Sequence, residues 1–245
     1  MNDTLHRYQS SAELKVAAKE HLFGKYSIVV GTVVIVTAIT KLVSVFCKAL
    51  INLDTVSGVI LNYVISCCLF VLFGLFLSGI AYLSLKLSCD RSVTVNDIFY
   101  GFRMFPGKAL LIQLYLAVWV CIAALPICFL SYFMQKETQK PALILICSLM
   151  SIVGGVVIVM IFLIYLQAFF LLHDFPNYSV TELLSLSRRL MDGSKCRFFY
   201  LIASFVPLML LGELSFGIAY LWLLPYMCTT VAGFFLDLIK NTEIK

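Results

Sequence analysis

The stretch Ser179–Lys195, SVTELLSLSRRLMDGSK, contains the signals of a short surface helix that leads into an apolar segment. Ser179 is followed three positions later by Glu182, which is the capping-box pattern of a helix N-terminus. The residues after Glu182 are amphipathic, and Gly193 stands where a helix ends in a left-handed turn. Lys195 then precedes an apolar run. The stretch predicts a surface helix, a hinge at Gly193 and a segment that enters a membrane.

The same pattern occurs twice earlier in the chain, as SSAELKVAAKEHLFGK over 10–25 and as TVNDIFYGFRMFPGK over 94–108. Each copy has a Ser or Thr N-cap, an acidic residue three positions on and a glycine 13 or 14 residues after the cap. These glycines, Gly24 and Gly107, are predicted hinges like Gly193. The pattern predicts three parallel repeats, each made of a surface helix and a transmembrane hairpin, with bounds 10–91, 94–176 and 179–245.

The composition indicates that lipid surrounds most of the chain. Of its 245 residues, 62% are hydrophobic and 13% are charged, whereas a soluble domain is about half apolar and about a quarter charged. Six apolar runs carry the excess, and a helix needs ~20 apolar residues to cross a ~30 Å hydrocarbon core. Backbone groups in that core must pair within their own segment, and no run shows the alternation of a barrel strand. We therefore expect an all-α protein, a single membrane domain over 1–245 with six transmembrane helices. The runs are 26–50, 56–86, 109–134, 142–172, 196–211 and 217–239.

Lysine and arginine are concentrated on one side of this topology. The opposite loops contain only Lys136 and Lys140, with Lys48 at their edge. This bias predicts a cell-membrane protein with both termini in the cytoplasm and with anionic lipid headgroups as partners at that face. The polar first 25 residues argue against a cleaved signal peptide. The basic residues flank spans and are not interleaved with aromatic residues, which argues against nucleic acid as a partner.

Several short motifs, most of them between 174 and 227, resemble those of a known family. They are Asp174-x-Pro176, Ser187-Arg188, Met191-x-Gly193-x-Lys195, Leu201-x-x-Ser204-Phe205 and Gly217-x-x-x-Leu221-Trp222-Leu223-x-Pro225-Tyr226-Met227, with Gly24-Lys25-Tyr26 and Gly101-Phe102 earlier. The family is the domain of unknown function 975 family, a group of bacterial integral membrane proteins. It has Ile-Pro-Gly-Ile after the tryptophan of the third span, where this chain has Leu125-Pro126-Ile127 and an added stretch. The resemblance implies six membrane helices and no established activity.

The sequence contains no motif of a known catalytic or cofactor site. H-E-x-x-H, G-x-S-x-G, the Walker loop and G-x-G-x-x-G are all absent. The three histidines, His6, His21 and His173, fall in different repeats at spacings that pair none of them as metal ligands. The nine cysteines include no C-x-x-C pair and lie mostly in apolar runs, which is typical of small buried hydrophobic residues. We expect no metal, no cofactor and no enzymatic activity.

Four charged residues are the candidates for a functional role: Lys41, Glu213, Asp174 and Arg188. Lys41 lies well inside the first predicted span, where a charge costs at least ~2.5 kcal/mol near the centre. Its side chain either snorkels to the headgroups or faces the bundle interior with Glu213 as its partner. Asp174 follows His173, and the two form either a proton relay or a helix end with Asp174 near Arg188 or Arg189. The helix end is the favoured interpretation.

Two functions compete. The first is a non-enzymatic structural subunit or a partner of another membrane protein, which the missing catalytic motifs favour. The second is a transporter or a carrier of lipid or small hydrophobic molecules, because parallel repeats can surround a central path. An intramembrane hydrolase ranks last, since no nucleophile–base pair is visible. A dry, Leu/Phe-packed centre favours the subunit; a polar central cavity with Lys41 and Glu213 facing it favours the carrier.

Overall fold

The computed structural model describes residues 8–49, 56–135 and 141–241, and within these ranges all of the regular structure is helical. The helices are α1 (Ser11–Leu22), α2 (Tyr26–Ala49), α3 (Val56–Ser88), a 3-10 helix (Val95–Phe99), α4 (Tyr100–Arg103), α5 (Pro106–Gln135), α6 (Pro141–Tyr165), α7 (Gln167–Asp174), α8 (Val180–Leu190), α9 (Lys195–Ala203), α10 (Val206–Leu214) and α11 (Tyr220–Asn241). The loops expected around 51–55 and 136–140, with Lys136 and Lys140, lie outside the described residues.

Six segments of the described chain are long and apolar enough to cross a membrane, as the sequence predicts. They are Tyr26–Cys47, Leu61–Ser88, Pro106–Pro126, Leu145–Asp174, Lys195–Leu214 and Tyr220–Asn241. The fourth is broken at Leu166, between α6 and α7, and the fifth at Ser204–Phe205, between α9 and α10. Pro207 lies in the first turn of α10, where its missing N–H leaves no hydrogen bond unmade. The break in the fifth span therefore comes just before the proline.

The two serine capping boxes form as the sequence predicts. The Ser10 and Ser179 amides donate to Glu13 and Glu182 at 2.6 and 2.7 Å. In the second copy the Thr94 amide donates to Asp97 at 2.8 Å, but the helix that follows is a 3-10 helix that continues into the single turn of α4. The second copy therefore differs in local structure from the other two.

The three predicted hinge glycines do not have the same conformation. Gly24 and Gly193 both have φ of +75°, in the left-handed region that glycine enters without a Cβ penalty. Gly107 lies instead in the first turn of α5. Pro106 starts that helix, because its fixed φ suits the first helical position. The turn expected at Gly107 is therefore made at Met104–Phe105.

The bundle packs most tightly at the end that carries α1, α4 and α8, which we call the capped end. Its main core combines side chains from the surface helices with side chains from the spans, including Leu14, Ile112, Phe169, Leu171, Leu183, Phe198 and Phe235, each no more than 2% exposed. At the opposite end, large apolar side chains such as Leu42, Phe46, Leu145 and Leu149 are exposed. Helices α1, α4 and α8 therefore close one end of the bundle.

Candidate functional site

A cavity of about 140 Å³ lies at the capped end, where α3 and α7 finish. We call it the polar pocket because six of its lining side chains are charged or titratable. Its lining consists of Tyr82, Leu85, Lys86, Cys89, Arg91, His173, Asp174 and Leu236. The helix ends bring together residues that are far apart in the sequence.

His173 is held by the backbone of α3. Its Nε2 lies 2.8 Å from the Ser78 carbonyl oxygen and 3.2 Å from the Ser78 Oγ. A carbonyl oxygen only accepts, so Nε2 carries the hydrogen and donates it. In the neutral imidazole Nδ1 is then an acceptor. This atom is buried and has no hydrogen-bond partner among the described residues.

Two tyrosines pack against the His173 ring. Tyr82 and Tyr100 stack at 3.7 Å between ring centroids, and the imidazole lies 5.3 and 5.6 Å from them. Gly79 makes this stack possible, because a Cβ there would lie 1.8 Å from the Ile98 carbonyl oxygen. The close approach of the 3-10 helix to α3 thus places Tyr100 over Tyr82. Burial raises the pKa of the Tyr100 hydroxyl.

The charged side chains around the polar pocket are of two kinds. Lys86 forms an ion pair with Asp97 at 2.9 Å, and both are largely buried. Arg91 and Asp174 also line the pocket, but within the described part of the chain neither makes a side-chain hydrogen bond or an ion pair. The polar pocket therefore has on its wall a cation and an anion that attract each other but make no direct ion pair.

A second polar cluster, the Arg197–Asp237 clamp, ties the segment before α1 to α9 and α11. The Arg197 guanidinium donates from Nη2 to the Asp237 carboxylate and, at 2.7 Å, to the Gln9 carbonyl oxygen. The Gln9 amide donates to Asp237 at 3.3 Å. The guanidinium also lies 4.8 Å from the rings of Tyr8 and Phe234. Asp237 is only 4% exposed, and among the described residues Arg197 is the cation that pairs with it, while Asn241 Nδ2 also donates to it at 3.1 Å.

Side chains from two surface helices fill the breaks in the fourth and fifth spans. Lys15 of α1 donates to the Ser204 carbonyl oxygen at 3.1 Å, and Ser187 of α8 donates to that of Ile164 at 2.6 Å. A broken helix frees carbonyl groups that need new donors. Burial is the main cause that lowers the pKa of the Lys15 ammonium. These two bonds fix α1 and α8 onto the spans.

The structure separates the four residues proposed from sequence. Asp174 lies in the polar pocket, where Arg91 is the cation that acts on it, in place of the expected Arg188 or Arg189. Arg188 is exposed on α8. Lys41 and Glu213 are both exposed, and Glu213 accepts a hydrogen bond from the Tyr220 hydroxyl at 2.8 Å. The interior Lys41–Glu213 pair expected of a carrier does not form.

Sequence reasoning missed the Arg197–Asp237 clamp, although a signal for it exists. Asp237 falls within the apolar run 217–239, so it meets the same criterion of an ionisable residue inside a span that singled out Lys41. Arg197 is the second residue of the run that begins at 196. A search for opposite charges in different spans would have found this pair.

Comparison with known proteins identifies the family. The family described as "Protein of unknown function (DUF975)" matches residues 1–242. The chain therefore belongs to this family, which confirms the resemblance seen in the motifs between 174 and 227. No curated protein and no solved structure gives a significant match.

Proposed function

We propose that this member of the DUF975 family is a non-enzymatic subunit of the cytoplasmic membrane that binds a transmembrane helix of another membrane protein. The observation that carries the proposal is the distribution of space in the bundle. The clefts of about 650 and 740 Å³ are walled mainly by apolar side chains and open sideways between helices. A carrier needs a polar path through its interior instead.

The cleft between α3 and α5, which we call the lateral groove, is a better binding site for a helix than the cleft of about 650 Å³. Its volume is about 740 Å³. Small side chains line part of it, namely Cys67, Cys68, Ala117 and Cys121. Small residues let two helix backbones approach closely, and in lipid this packing is a main source of helix association. Leu72 and Val118, at the edge of the groove, are each 50% exposed and would flank the incoming helix.

Photocrosslinking in cells tests this proposal directly. A photoreactive amino acid at Leu114, which lines the lateral groove and is 46% exposed, should give one crosslinked membrane protein in constant ratio to the chain. The matched position is Val156 on α6, which is 60% exposed and lies outside the groove. Equal crosslinking at both positions, or none at Leu114, would contradict the proposal.

A groove-filling variant provides a second test. Cys68→Phe places a large ring at an exposed position in the lateral groove and should reduce recovery of the partner by about tenfold or more. Val156→Phe is the matched control, because it adds a ring to an exposed surface elsewhere. An unchanged thermal midpoint for Cys68→Phe would show that the loss comes from the groove itself.

The second candidate function is a carrier, and the two broken spans favour it, since discontinuous helices often form transport sites. The breaks are filled here by Lys15 and Ser187. We therefore expect reconstituted protein to move neither lipid nor small hydrophobic solutes faster than empty liposomes do. Flux that is abolished by Lys15→Met but not by Lys19→Met would support the carrier instead.

We further propose that the capped end faces the cytoplasm. Most of the lysine and arginine residues flank the spans at this end, which the positive-inside tendency places in the cytoplasm. In a cysteine-free background, a cysteine at Gln139 should react with an impermeant reagent added to intact cells, and one at Asn2 should not. Labelling at Asn2 would reverse the assignment.

A further inference from the structure

We propose that the polar pocket binds an aminoalkyl phosphate, the chemical group that forms the headgroup of phosphatidylethanolamine. The pocket is lined by a cation and an anion that make no direct ion pair, and it has an apolar wall. A zwitterion with a phosphate at one end and an ammonium at the other satisfies both charges at once.

The charges on the pocket wall determine the net charge that the ligand carries. Lys86 is already compensated by Asp97 at 2.9 Å, which leaves Arg91 and Asp174 as the charges facing the pocket. A simple anion would gain Arg91 but would meet the Asp174 carboxylate, and a simple cation would meet Arg91. Arg91 and Asp174 together favour a ligand of zero net charge that carries its two opposite charges at separate ends. Arginine is also well suited to phosphate oxygens.

Asp174 narrows the ligand further. A carboxylate only accepts hydrogen bonds, so it favours a cation that has N–H donors. A primary ammonium has three N–H donors for the Asp174 carboxylate. A trimethylammonium group carries the same charge but has no donor. The pocket should therefore distinguish ethanolamine from choline.

The location and size of the polar pocket suit a headgroup. Lys86 lies in the last turn of α3 and Asp174 ends α7, so the pocket is at the level where two spans finish. The cavity of about 140 Å³ greatly exceeds the ~30 Å³ that one water occupies in the liquid. Leu85 and Leu236 provide the apolar wall against which the chain-bearing end of a lipid would lie.

The test measures thermal unfolding of the full-length, delipidated protein in a non-ionic detergent, with added phosphatidylethanolamine or phosphatidylcholine of the same acyl chains. Phosphatidylethanolamine should raise the thermal midpoint at a concentration about tenfold lower than phosphatidylcholine, because only its ammonium donates hydrogen bonds. Phosphatidylglycerol, which is a net anion, should behave like phosphatidylcholine. Soluble glycerophosphoethanolamine, which keeps the phosphodiester and zero net charge, distinguishes the source: protection by it at equal concentration assigns the site to a free metabolite, and protection by the lipid alone assigns it to the bilayer.

Substitutions locate the effect in the polar pocket. Arg91→Gln and Asp174→Asn should each abolish the difference between the two lipids, since each removes one charged end of the site. Arg103→Gln is the matched control, because Arg103 is an exposed arginine of the capped end that contacts Asn96 and does not line the pocket. Arg91 is exposed, so its substitution leaves the packed core intact and the test does not depend on Asp174→Asn folding.

Three results would overturn the proposal. They are equal protection by the ethanolamine and choline lipids, protection by phosphatidylglycerol as strong as that by phosphatidylethanolamine, and an undiminished lipid preference in Arg91→Gln. None of these results tests the lateral groove, so the experiments on the partner helix test that proposal independently.

Discussion

The two ends of the bundle are stabilised in different ways. At the capped end, surface helices bury Leu14 and Leu183 among the spans, and Asp237 pairs with Arg197 at low exposure. At the opposite end, helix surfaces such as that of Leu149 are exposed, and in a membrane they face acyl chains. One end therefore resembles the core of a soluble protein, whereas the other uses lipid as its solvent.

This difference shows where the specificity of the fold lies. Apolar side chains that face lipid gain little from one neighbour over another, because acyl chains are as apolar as leucine. Buried polar groups lose much if they are misplaced. The Arg197–Asp237 clamp and the bonds from Lys15 and Ser187 therefore set the arrangement of the spans.

The largest expected effect follows from breaking the Arg197–Asp237 clamp. Asp237→Ala leaves the guanidinium without its carboxylate and should destabilise the protein by about 3–5 kcal/mol, as removal of one partner of a buried pair does. Asp192→Ala is the control: Asp192 pairs with Lys195 at 3.6 Å but is 83% exposed, so its loss should cost about 1 kcal/mol or less. Unfolding by sodium dodecyl sulfate in mixed micelles measures both. Similar losses would show that the clamp is not buried as described.

A leucine truncation at each end should give the next largest difference. Leu171 is fully buried in the capped-end core, so Leu171→Ala should create a cavity that costs about 2–5 kcal/mol. Leu149 is 55% exposed on α6, and Leu149→Ala should change stability by no more than about 0.5 kcal/mol. The same denaturation assay compares them. A loss for Leu149→Ala that matches that of Leu171→Ala would mean that another chain covers α6.

Two glycine-to-alanine substitutions should change stability by smaller amounts and in opposite directions. Gly79→Ala would place a methyl group 1.8 Å from the Ile98 carbonyl oxygen, so the 3-10 helix must move away from α3 at a cost of about 1–3 kcal/mol. Gly155→Ala meets nothing within 4 Å and should stabilise α6 by up to about 1 kcal/mol through helix propensity. Thermal midpoints that move in opposite directions would confirm the contact, and a stable Gly79→Ala would contradict it.

Local signals in the sequence were sufficient for the spans and for two of the caps. The apolar runs and the pairs Ser10–Glu13 and Ser179–Glu182 depend on residues close in the chain, and the structure contains them. The sequence also placed the end of the fourth apolar run at 172, two residues before α7 ends at Asp174. These features follow from hydrophobic length and from capping chemistry, both of which act over a few residues.

Features that depend on how the spans are arranged could not be predicted in the same way. Arg197 and Asp237 are 40 positions apart and meet only because α9 packs beside α11. The 3-10 helix at 95–99 packs closely against Gly79 of α3, a contact that no local propensity indicates. The polar pocket was missed for the same reason, since its residues come from the ends of three spans. The sequence singled out only His173 and Asp174 of this pocket, and the arginine that lines it with them is Arg91, where Arg188 or Arg189 was expected.

The smallest expected effect concerns the cap of α8 and depends on pH. The Ser179 amide, with its hydroxyl, donates to the Glu182 carboxylate and lowers the pKa of that group below its ordinary value of 4.5. A carboxyl whose pKa is lower in the folded state stabilises that state above its unfolded pKa, and the contribution is lost as pH falls through the folded value. Glu182→Gln should therefore be less stable than the wild type at pH 7, and the difference should shrink steadily once the pH drops below 4.5. Denaturation of both proteins at a series of pH values between 7 and 3 measures this, and a difference that stays constant over that range would show that the Glu182 carboxylate does not cap the helix.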